Sequence, residues 1–418
     1  MCDWYRLGRT DTEVCLHFVP SENRFWPPRV MRDYPLPQSE VRGLRVTLTG
    51  PGAVWMYAHA AATFRAAGAQ DICVRTPAKP GSSEDLSGSE SLLILAGEDQ
   101  NRGALLRIWL KPSPPLSPSA IHRLLTPRLE ELSRLRPHEL VMSGRATVDV
   151  YAQIAKNAID SGIRRIACWS ARDGLIVVYD SDRGQLGCQI ARPDWLVRAM
   201  PRPVWPVIIG VTGDPNLGKS IFCNVLDSYM LRIGCDGWRL DCDGQSPTPS
   251  WYFSLVGDEA AKILREEYKR SWTAEMEEII VDQLRRSREL FSVLIADLPG
   301  GNHKVTPPQR IPPGRERMFA ELDAIILLDH QKASSEAAWR EALQPYGLDR
   351  RIAAVLTSRD PQGAPSLSVK KDGMLWRGEV TGLDRLAPLT ELESAFRVGL
   401  DELWQPLLDF ARRRSADA

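Results

Sequence analysis

The chain has 418 residues, which is too long for one ordinary hydrophobic core, so two or three domains are expected. Its 53 Lys and Arg residues balance its 53 Asp and Glu residues. This balance disfavours binding to long nucleic acid, since such binding scales with the number of phosphates that a basic surface neutralises.

The cysteines and the apolar segments narrow the class further. The eight cysteines form no C-x-x-C pair and have no His cluster beside them, which disfavours a zinc site or a disulfide framework. The first residues, MCDWY, lack the basic segment and apolar run of a secretion signal, and no run of about 18 apolar residues follows. We therefore expect a cytoplasmic protein without a membrane-spanning segment.

The first 180 residues contain an internal repeat with a period of 94 residues. In each copy a strand and a turn precede a helix, over 53–67 and 147–161, that ends at a glycine suited to a helix C-cap. A strand is predicted ahead of each unit and two strands behind its helix. These strands are Val14–Phe18, Ile72–Arg75 and Leu92–Leu95 in the first copy, and Leu105–Leu110, Ile166–Trp169 and Leu175–Tyr179 in the second. The matching positions are Gly50 with Gly144, Val54 with Val148, Tyr57 with Tyr151, Ala58 with Ala152, Ala61 with Ala155, Gly68 with Gly162 and Ile72 with Ile166.

The repeat predicts two α+β modules, 1–98 and 99–180; the alternative is a chance resemblance between two generic strand–helix–strand units. Duplicated modules commonly pack as a pseudo-symmetric pair with a shared groove. The strand-to-helix turns can bind phosphate through free N–H groups at a helix N-terminus, whereas the tyrosines are also explained by packing alone. The residues expected near the groove are Gly50, Tyr57, Ser143, Gly144, Arg145, Tyr151 and Arg172.

The chain changes character after residue 180. Residues 181–204 resemble a linker, because they contain turn residues and little regular periodicity. From 205 to 418, apolar runs alternate with helical segments, which predicts a doubly wound α/β domain. The runs are Val207–Val211, Val293–Ala296, Ala324–Leu328 and Ile352–Leu356, and the helical segments include 258–270, 273–291, 335–344 and a closing helix over Glu391–Arg414.

Residues 213–220, GDPNLGKS, match the phosphate-binding pattern G-x-x-x-x-G-K-[ST]. Gly213 and Gly218 permit a tight loop that aims backbone N–H groups, including that of Asn216, at phosphates. Lys219 is expected to reach the β- and γ-phosphates, and Ser220 to ligate Mg²⁺. A buried strand precedes the motif and a helical segment follows it, so we expect this domain to bind ATP or GTP.

A second acidic motif follows the P-loop. The run 292–297 is an apolar strand that ends in Asp297, the position from which P-loop proteins hold or polarise Mg²⁺. With Lys219, Asp297 is the candidate catalytic residue. DLPGG at 297–301 also has the D-x-x-G form, whose glycine backbone can sense a γ-phosphate; the alternative is a simple turn. The basic, Pro-rich segment 302–317 is interpreted either as a lid that brings an Arg onto the phosphates or as a surface loop.

Two further strand ends bear on specificity. TSRD at 357–360 has the position and terminal Asp of a guanine-reading motif, but the Lys that packs on the base is absent. Asp241 and Asp243 follow the second strand of the domain, where P-loop kinases often bind an acceptor; the alternative is a strand-end turn.

The N-terminal units resemble the CRISPR-associated "Csx-three" family of ring nucleases. The stretches that carry the resemblance are TLTGPGAVWMY at 47–57, VMSGR at 141–145 and ARDGLIVV at 171–178. The resemblance implies a module that dimerises and handles cyclic oligoadenylate, and some members are fused to a C-terminal P-loop domain. The family's activity depends on a His and an Asp, whose places fall near Arg65 and Thr76 in the first unit and near Ile159 and Ser170 in the second.

Three hypotheses follow for function. The first is a type III CRISPR accessory protein that binds cyclic oligoadenylate and is coupled to an ATP-binding domain. Degradation of the bound cyclic oligoadenylate is an open extension of this hypothesis. The second is a small-molecule or nucleotide kinase with an N-terminal regulatory region and an acceptor near Asp241 and Asp243. The third is a nucleotide-dependent switch that controls assembly with a partner. Assembly into a homo-oligomer is compatible with each of them.

Overall fold

The computed structural model describes residues 4–19, 26–75, 82–86, 89–96, 103–110, 116–170, 173–199, 206–244, 266, 271–331 and 334–416. The described chain divides into two compact units, Met1–Pro201 and Arg202–Ala418. Each unit has its own apolar core. No helix in the described ranges is both long enough and apolar enough to cross a membrane.

The first sheet of the N-terminal unit contains four strands among the described residues, in the order β1-β2-β3-β4. β1 is antiparallel to β2, whereas β2, β3 and β4 are parallel. Helix α2 connects β3 to β4. The bounds are β1 (Tyr5–Arg9), β2 (Glu13–Phe18), α1 (Val30–Asp33), a short 3-10 turn (Gln38–Glu40), β3 (Arg45–Thr49), α2 (Val54–Ala66) and β4 (Asp71–Arg75).

The second sheet of this unit has six described strands in the order β10-β9-β8-β7-β6-β5. β6, β7 and β8 are parallel, and the remaining neighbours are antiparallel. The bounds are β5 (Glu90–Ala96), β6 (Gly103–Trp109), α3 (Pro118–Leu135), β7 (Glu139–Arg145), α4 (Val148–Asp160), β8 (Arg165–Ser170), β9 (Gly174–Asp180), β10 (Gln189–Ile190) and α5 (Asp194–Ala199).

The two sheets share one arrangement: an antiparallel hairpin leads into a parallel strand, which is followed by a helix and a further parallel strand. In this arrangement β5 is the counterpart of β1. The expectation that Leu92–Leu95 closes the first module is therefore wrong, because these residues pair with β6 in the second sheet. The predicted boundary between residues 98 and 99 lies inside the β5–β6 hairpin.

The predicted linker 181–204 is also corrected by the structure. Strand β10 extends the second sheet beside β9, and α5 packs against β5 and β6. Trp195 of α5 is only 7% exposed, and its Nε1 donates to Glu139 Oε2 at 2.9 Å. Burial of this indole fixes the segment to the N-terminal unit.

Helices α2 and α4 pack against each other within the N-terminal unit. Helix α2 is buried over nearly its whole length, which explains why its sequence has alanines where a surface helix would carry charges. The small side chains at Ala58, Ala61 and Ala62 are fully buried. Close approach of two helices favours such residues, since interior packing leaves few voids.

The described part of the C-terminal unit forms one seven-stranded sheet in the order β12-β13-β11-β14-β15-β17-β16, parallel except for β16. The strands are β11 (Val207–Gly213), β12 (Gly237–Asp241), β13 (Val293–Asp297), β14 (Ala324–His330), β15 (Ile352–Ser358), β16 (Ser366–Asp372) and β17 (Leu375–Thr381). The helices are α6 (Lys219–Arg232), α7 (Ala274–Arg288), α8 (Glu316–Ala320), α9 (Glu336–Leu343) and α10 (Leu389–Ala416).

The prediction of an α/β P-loop domain is confirmed. The four apolar runs found in the sequence are the four adjacent parallel strands β13, β11, β14 and β15, buried on both faces. The predicted helix 258–270 falls, apart from residue 266, outside the described residues. The β16–β17 hairpin was not predicted, because its exposed, charged sequence lacks an apolar run.

Candidate functional site

The P-loop joins the carboxyl end of β11 to the first turn of α6. Three of its residues have positive φ angles: Gly213 at 144°, Asn216 at 66° and Gly218 at 83°. A Cβ on Gly213 would lie 2.2 Å from the carbonyl oxygen of Leu328, and one on Gly218 would lie 2.6 Å from Leu383 Cβ. Both glycines are therefore required by conformation and by space. The predicted roles of the two glycines agree with this geometry.

Gly213→Ala is expected to lower the free energy of unfolding of the C-terminal unit by about 3 kcal/mol, since backbone strain and a clash with a carbonyl oxygen add. Gly347→Ala is the matched control. Gly347 also has a positive φ, 68°, but a Cβ there meets nothing within 4 Å, so we expect a loss of about 1 kcal/mol. Urea unfolding measures both. Equal losses would show that the crowding at Gly213 is not significant.

Lys219 begins helix α6, and its Nζ donates to the backbone oxygen of Asp214 at 3.0 Å. A Cβ on Gly300, in the D-x-x-G turn, would lie 3.0 Å from the same Nζ, so the turn approaches the P-loop closely. Burial lowers the pKa of Lys219, while Asp297 and other carboxylates oppose this shift. A bound phosphate would supply the negative charge that this ammonium needs.

Ser220 occupies the first turn of α6, next to Lys219. Its backbone oxygen accepts a 2.7 Å hydrogen bond from Asn224 Nδ2. This places the hydroxyl-bearing residue at the helix N-terminus, where the sequence predicts a Mg²⁺ ligand.

Asp297 is the last residue of β13 and is 1% exposed. Its Oδ2 accepts a hydrogen bond from Arg239 Nη2 in β12 at 2.6 Å, and both side chains are almost completely buried. The parallel pairing of β13 with β11 places Asp297 beside the strand that leads into the P-loop. Arg239 was not predicted from the sequence. Because it binds Asp297, a Mg²⁺ ion held by Asp297 would share this carboxylate with a buried guanidinium.

The predicted lid folds back onto the P-loop through Asp214. Arg310 Nη2 lies 3.2 Å from Asp214 Oδ2, and Trp339 Nε1 of α9 donates to Asp214 Oδ1 at 2.8 Å. His303 Nε2 donates to the backbone oxygen of Gly300 at 2.9 Å and lies 3.6 Å from Asp214 Oδ1. Of the basic residues in the segment, Arg310 and His303 therefore reach the P-loop. Asp214 occupies a variable position of the motif, so the pattern gave no signal for it.

Two carboxylates, Asp241 at the end of β12 and Asp243 just after it, lie near a buried cation. Asp241 pairs in register with Asp297, and its Oδ1 accepts a 3.1 Å hydrogen bond from the backbone N–H of Asp243. Arg315 is 5% exposed, lies 4.0 Å from the centroid of the Trp272 ring and is attracted by Asp243. Burial lowers the pKa of Arg315. This end of the sheet thus brings together carboxylates and a desolvated guanidinium.

The TSRD segment lies beside the P-loop, since Ser358 Oγ donates to the backbone oxygen of Leu217 at 3.1 Å. Arg359, at the place of the absent Lys, is exposed and forms an ion pair with Glu379. Asp360 Oδ1 accepts a hydrogen bond from the backbone N–H of Gln362 at 3.0 Å. These contacts stabilise a turn, and they do not distinguish ATP from GTP.

The two tyrosines predicted near the N-terminal groove make equivalent contacts inside the fold. Tyr57 donates its hydroxyl to the backbone oxygen of Gly50 at 2.6 Å, and Tyr151 donates to that of Gly144 at 2.9 Å. Both side chains are buried, and burial raises the pKa of Tyr57 to about 12. These contacts favour the packing alternative for both tyrosines, because each hydroxyl already binds its own strand-to-helix turn.

The other residues predicted near the groove lie in different surroundings. Gly50 and Gly144 have φ angles of 98° and 111°, and a Cβ would lie 2.4 Å and 2.0 Å from a backbone oxygen of the neighbouring strand. Ser143 is buried, and Arg145 lies 5.1 Å from the Trp109 ring centroid. Arg172 is outside the described residues.

Tyr151→Phe and Tyr57→Phe are each expected to lower the free energy of unfolding by about 1 kcal/mol, since each removes one buried hydrogen bond and little volume. Chemical denaturation followed by circular dichroism measures this loss. Tyr346→Phe, at an exposed tyrosine, is the control and should leave stability unchanged. A loss at only one of the buried tyrosines would contradict their equivalence.

The family's catalytic places hold no comparable pair in the described chain. Arg65 Nε is 2.5 Å from Asp160 Oδ1, Ile159 packs against the apolar core, and Ser170 Oγ donates to Asp173 Oδ2 at 3.3 Å. Thr76 lies outside the described residues. None of the three described residues is a His or an Asp.

No family model matches this chain, and the comparison with curated proteins found no match either. Among solved structures, it is similar to FtsY from Mycoplasma mycoides at 9% identity and a TM-score of 0.24, covering 49% of this chain and 58% of that one. It is similar to cell division protein FtsY from Thermotoga maritima at 16% identity and a TM-score of 0.20, covering 38% and 53%. The signal recognition particle 54 kDa protein from Aeropyrum pernix K1, in complex with GDP, gives 17% identity and a TM-score of 0.24, covering 51% and 50%.

The chain spans only about half the length of these three proteins. At such identities and TM-scores the likeness decides neither fold nor function, which rest on the geometry above. That geometry brings together the loop 213–220, Asp297, the turn at Gly300 and Arg310 at one edge of a parallel sheet. In open α/β sheets this edge, at the carboxyl ends of the strands, is where ligands bind.

Proposed function

We propose that the C-terminal unit binds a nucleoside triphosphate with Mg²⁺, hydrolyses it and acts as a nucleotide-dependent switch. The observation that carries this proposal is the conformation of the loop 213–220, which places Lys219 at the start of α6 beside the D-x-x-G turn. Backbone N–H groups at a helix N-terminus favour a phosphate. The oxygen atoms of Ser220 and Asp297 are the donor type that Mg²⁺ prefers.

In this proposal each side chain of the P-loop site has its own role. Lys219 would exchange the Asp214 backbone oxygen for phosphate oxygens, and Ser220 with Asp297 would hold Mg²⁺. The ion, when bound, neutralises charge on the phosphates. The positively charged guanidinium of Arg310 lies at the edge of the P-loop, with Nη2 3.2 Å from Asp214 Oδ2. A γ-phosphate at this edge would compete with Asp214 for that guanidinium.

This competition supports a switch in preference to a constitutive hydrolase. Asp214 connects the P-loop to the 302–310 loop through Arg310 and to α9 through Trp339. Release of Arg310 by a γ-phosphate would therefore be felt in two elements outside the P-loop. A segment that is ordered differently by a γ-phosphate is a common form of nucleotide switch.

Hydrolysis and nucleotide-dependent change can be tested together. We expect Mg²⁺ with either ATP or GTP to raise the melting temperature and to release free phosphate. Phosphate appearing on an acceptor would favour the kinase alternative, whose acceptor would lie near Asp241 and Asp243. If neither nucleotide shifts the melting temperature or is consumed, the proposal fails.

For the N-terminal unit, we propose binding of cyclic oligoadenylate, as the family resemblance implies. The turns at Gly50 and Gly144, which adopt like conformations on equivalent strands, support this. Cleavage by the family's side chains is not expected, given Arg65, Ile159 and Ser170. Incubation of the intact protein with radiolabelled cyclic oligoadenylates tests the proposal, which fails if no ring size is retained or degraded.

A further inference from the structure

Arg239 of β12 and Asp297 of β13 form a buried ion pair at the carboxyl edge of the C-terminal sheet. The two strands are parallel neighbours, and Arg239 lies opposite Ile295, two residues before Asp297. Side chains two positions apart on a strand point to the same face, so Arg239 lies on the face that Asp297 occupies. The fold therefore brings a guanidinium to the proposed Mg²⁺ ligand from the neighbouring strand.

A structural role alone does not account for this pair. The side chains of Arg239 and Asp297 are 3% and 2% exposed, and Arg239 Nη2 donates to Asp297 Oδ2 at 2.6 Å. Removing two charges from water consumes most of the energy of their attraction, and an apolar pair of similar volume often stabilises a fold equally well. A charged pair beside a P-loop is therefore best explained by a role that needs the charges.

Asp297 has one oxygen bound to Arg239 and a second oxygen without such a contact. Oδ1 of Asp297 accepts no hydrogen bond from the described part of the chain. Oxygen is the ligand type that Mg²⁺ prefers, and a site of this kind takes only one or two carboxylates from the protein. The carboxylate can thus contribute Oδ1 to a metal ion while Oδ2 keeps its guanidinium.

The guanidinium sets the charge that an arriving metal ion meets. With Arg239 in place the carboxylate of Asp297 is already neutralised, so a dication without phosphates is repelled by a buried positive charge. Lys219 adds a second cation, which Asp297 also attracts. The phosphates of a nucleotide would bring the negative charge that the ion needs. Asp241 attracts the guanidinium as well and would stabilise it while Asp297 binds the metal.

We propose that Arg239 is a positioning residue that makes metal binding at Asp297 conditional on a bound nucleoside triphosphate. In the nucleotide-free protein its guanidinium supplies the positive charge that Mg²⁺ supplies in the loaded protein. The nucleotide-free site is then stable without a metal, and metal and nucleotide enter together. Because Asp297 is taken as a Mg²⁺ ligand, this role of Arg239 rests on the proposed function of the C-terminal unit.

Binding of Mn²⁺ to the intact, nucleotide-free protein tests this role. Arg239→Gln removes the charge and keeps a hydrogen-bond donor for Asp297. We expect it to bind Mn²⁺ about tenfold more tightly than wild type, as measured by the electron paramagnetic resonance of free Mn²⁺. An ion concentration ten times the Kd of the variant should raise its melting temperature by about 4 °C, and that of wild type by at most about 1 °C.

Two further variants identify the cause. Arg239→Lys keeps the positive charge and should bind Mn²⁺ as weakly as wild type. The double variant Arg239→Gln with Asp297→Asn should lose both the tighter binding and the thermal effect, because the metal ligand is gone. If Arg239→Gln is unfolded without metal, Mn²⁺ should refold it and should not refold the double variant; failure to do so counts against the role of Arg239.

The measurements separate this role from plain structural support and from the proposed function. A purely structural Arg239 would not weaken metal binding, so equal Mn²⁺ affinity in wild type and Arg239→Gln overturns the inference. Tight Mn²⁺ binding by Arg239→Lys overturns it as well. If wild type binds a nucleotide in either case, the proposed function stands and only the role of Arg239 is refuted. A wild type that responds to no nucleotide refutes the nucleotide site itself.

Discussion

Lys219→Ala is expected to weaken triphosphate binding by about 100-fold. The ammonium would make charge-assisted hydrogen bonds to two phosphates, and their loss costs about 3 kcal/mol, which corresponds to two factors of ten in affinity. Calorimetric titration with ATP and GTP in the presence of Mg²⁺ measures the change. The effect should be largest for the triphosphate and smaller for the diphosphate, because the γ-phosphate contact is lost only in the first.

The structure separates this effect from unfolding. Burial lowers the pKa of Lys219 in the nucleotide-free protein, so its charge is not a source of stability there. The melting temperature of Lys219→Ala without nucleotide should be equal to or above that of wild type. Lys371→Ala, on the exposed edge strand β16, is the matched control and should bind normally. Normal binding by Lys219→Ala would refute the proposed site.

Arg239→Leu is expected to lower the free energy of unfolding by about 4 kcal/mol, the largest stability effect that we anticipate. The change leaves Asp297 buried without its cationic partner, and breaking such a pair typically costs about 3–5 kcal/mol. For a domain of this size the melting temperature should fall by about 10 °C. Differential scanning calorimetry measures this shift.

Two comparisons make the test specific. Arg359→Leu breaks the exposed pair with Glu379 and should cost less than about 1 kcal/mol. The double variant Arg239→Met with Asp297→Leu should be more stable than Arg239→Leu alone, because no uncompensated charge stays buried. A double variant no more stable than the single would show that the ion pair is not the cause.

The features that the sequence predicted correctly in the C-terminal unit are local ones. The P-loop glycines are fixed by backbone conformation within eight residues, and the central strands are continuous apolar runs. Arg239 and Trp339 were missed, because their partners lie 58 and 125 positions away in the sequence. No short pattern marks a side chain whose role comes from such a distant contact.

In the N-terminal unit the positions of the strands were predicted better than their pairing. Its strands were located well, but the strand at Leu92–Leu95 was given to the wrong sheet. An apolar run indicates that a segment is buried, but it does not indicate which strand that segment pairs with. The contact between His59 Nδ1 and the backbone oxygen of Val178 was also not predictable, since the two residues lie 119 positions apart in the sequence.

The pairing of β5 with β6 has a consequence for dividing the chain. A fragment that ends at residue 98 would carry β5 away from its partner and leave β6 as a bare, apolar sheet edge. Unprotected edges of this kind pair with other chains and lead to aggregation. The mutual burial of α2 and α4 would be lost in the same cut. Soluble fragments are therefore expected from a cut near residues 201 and 202, and not from one between the two halves of the repeat.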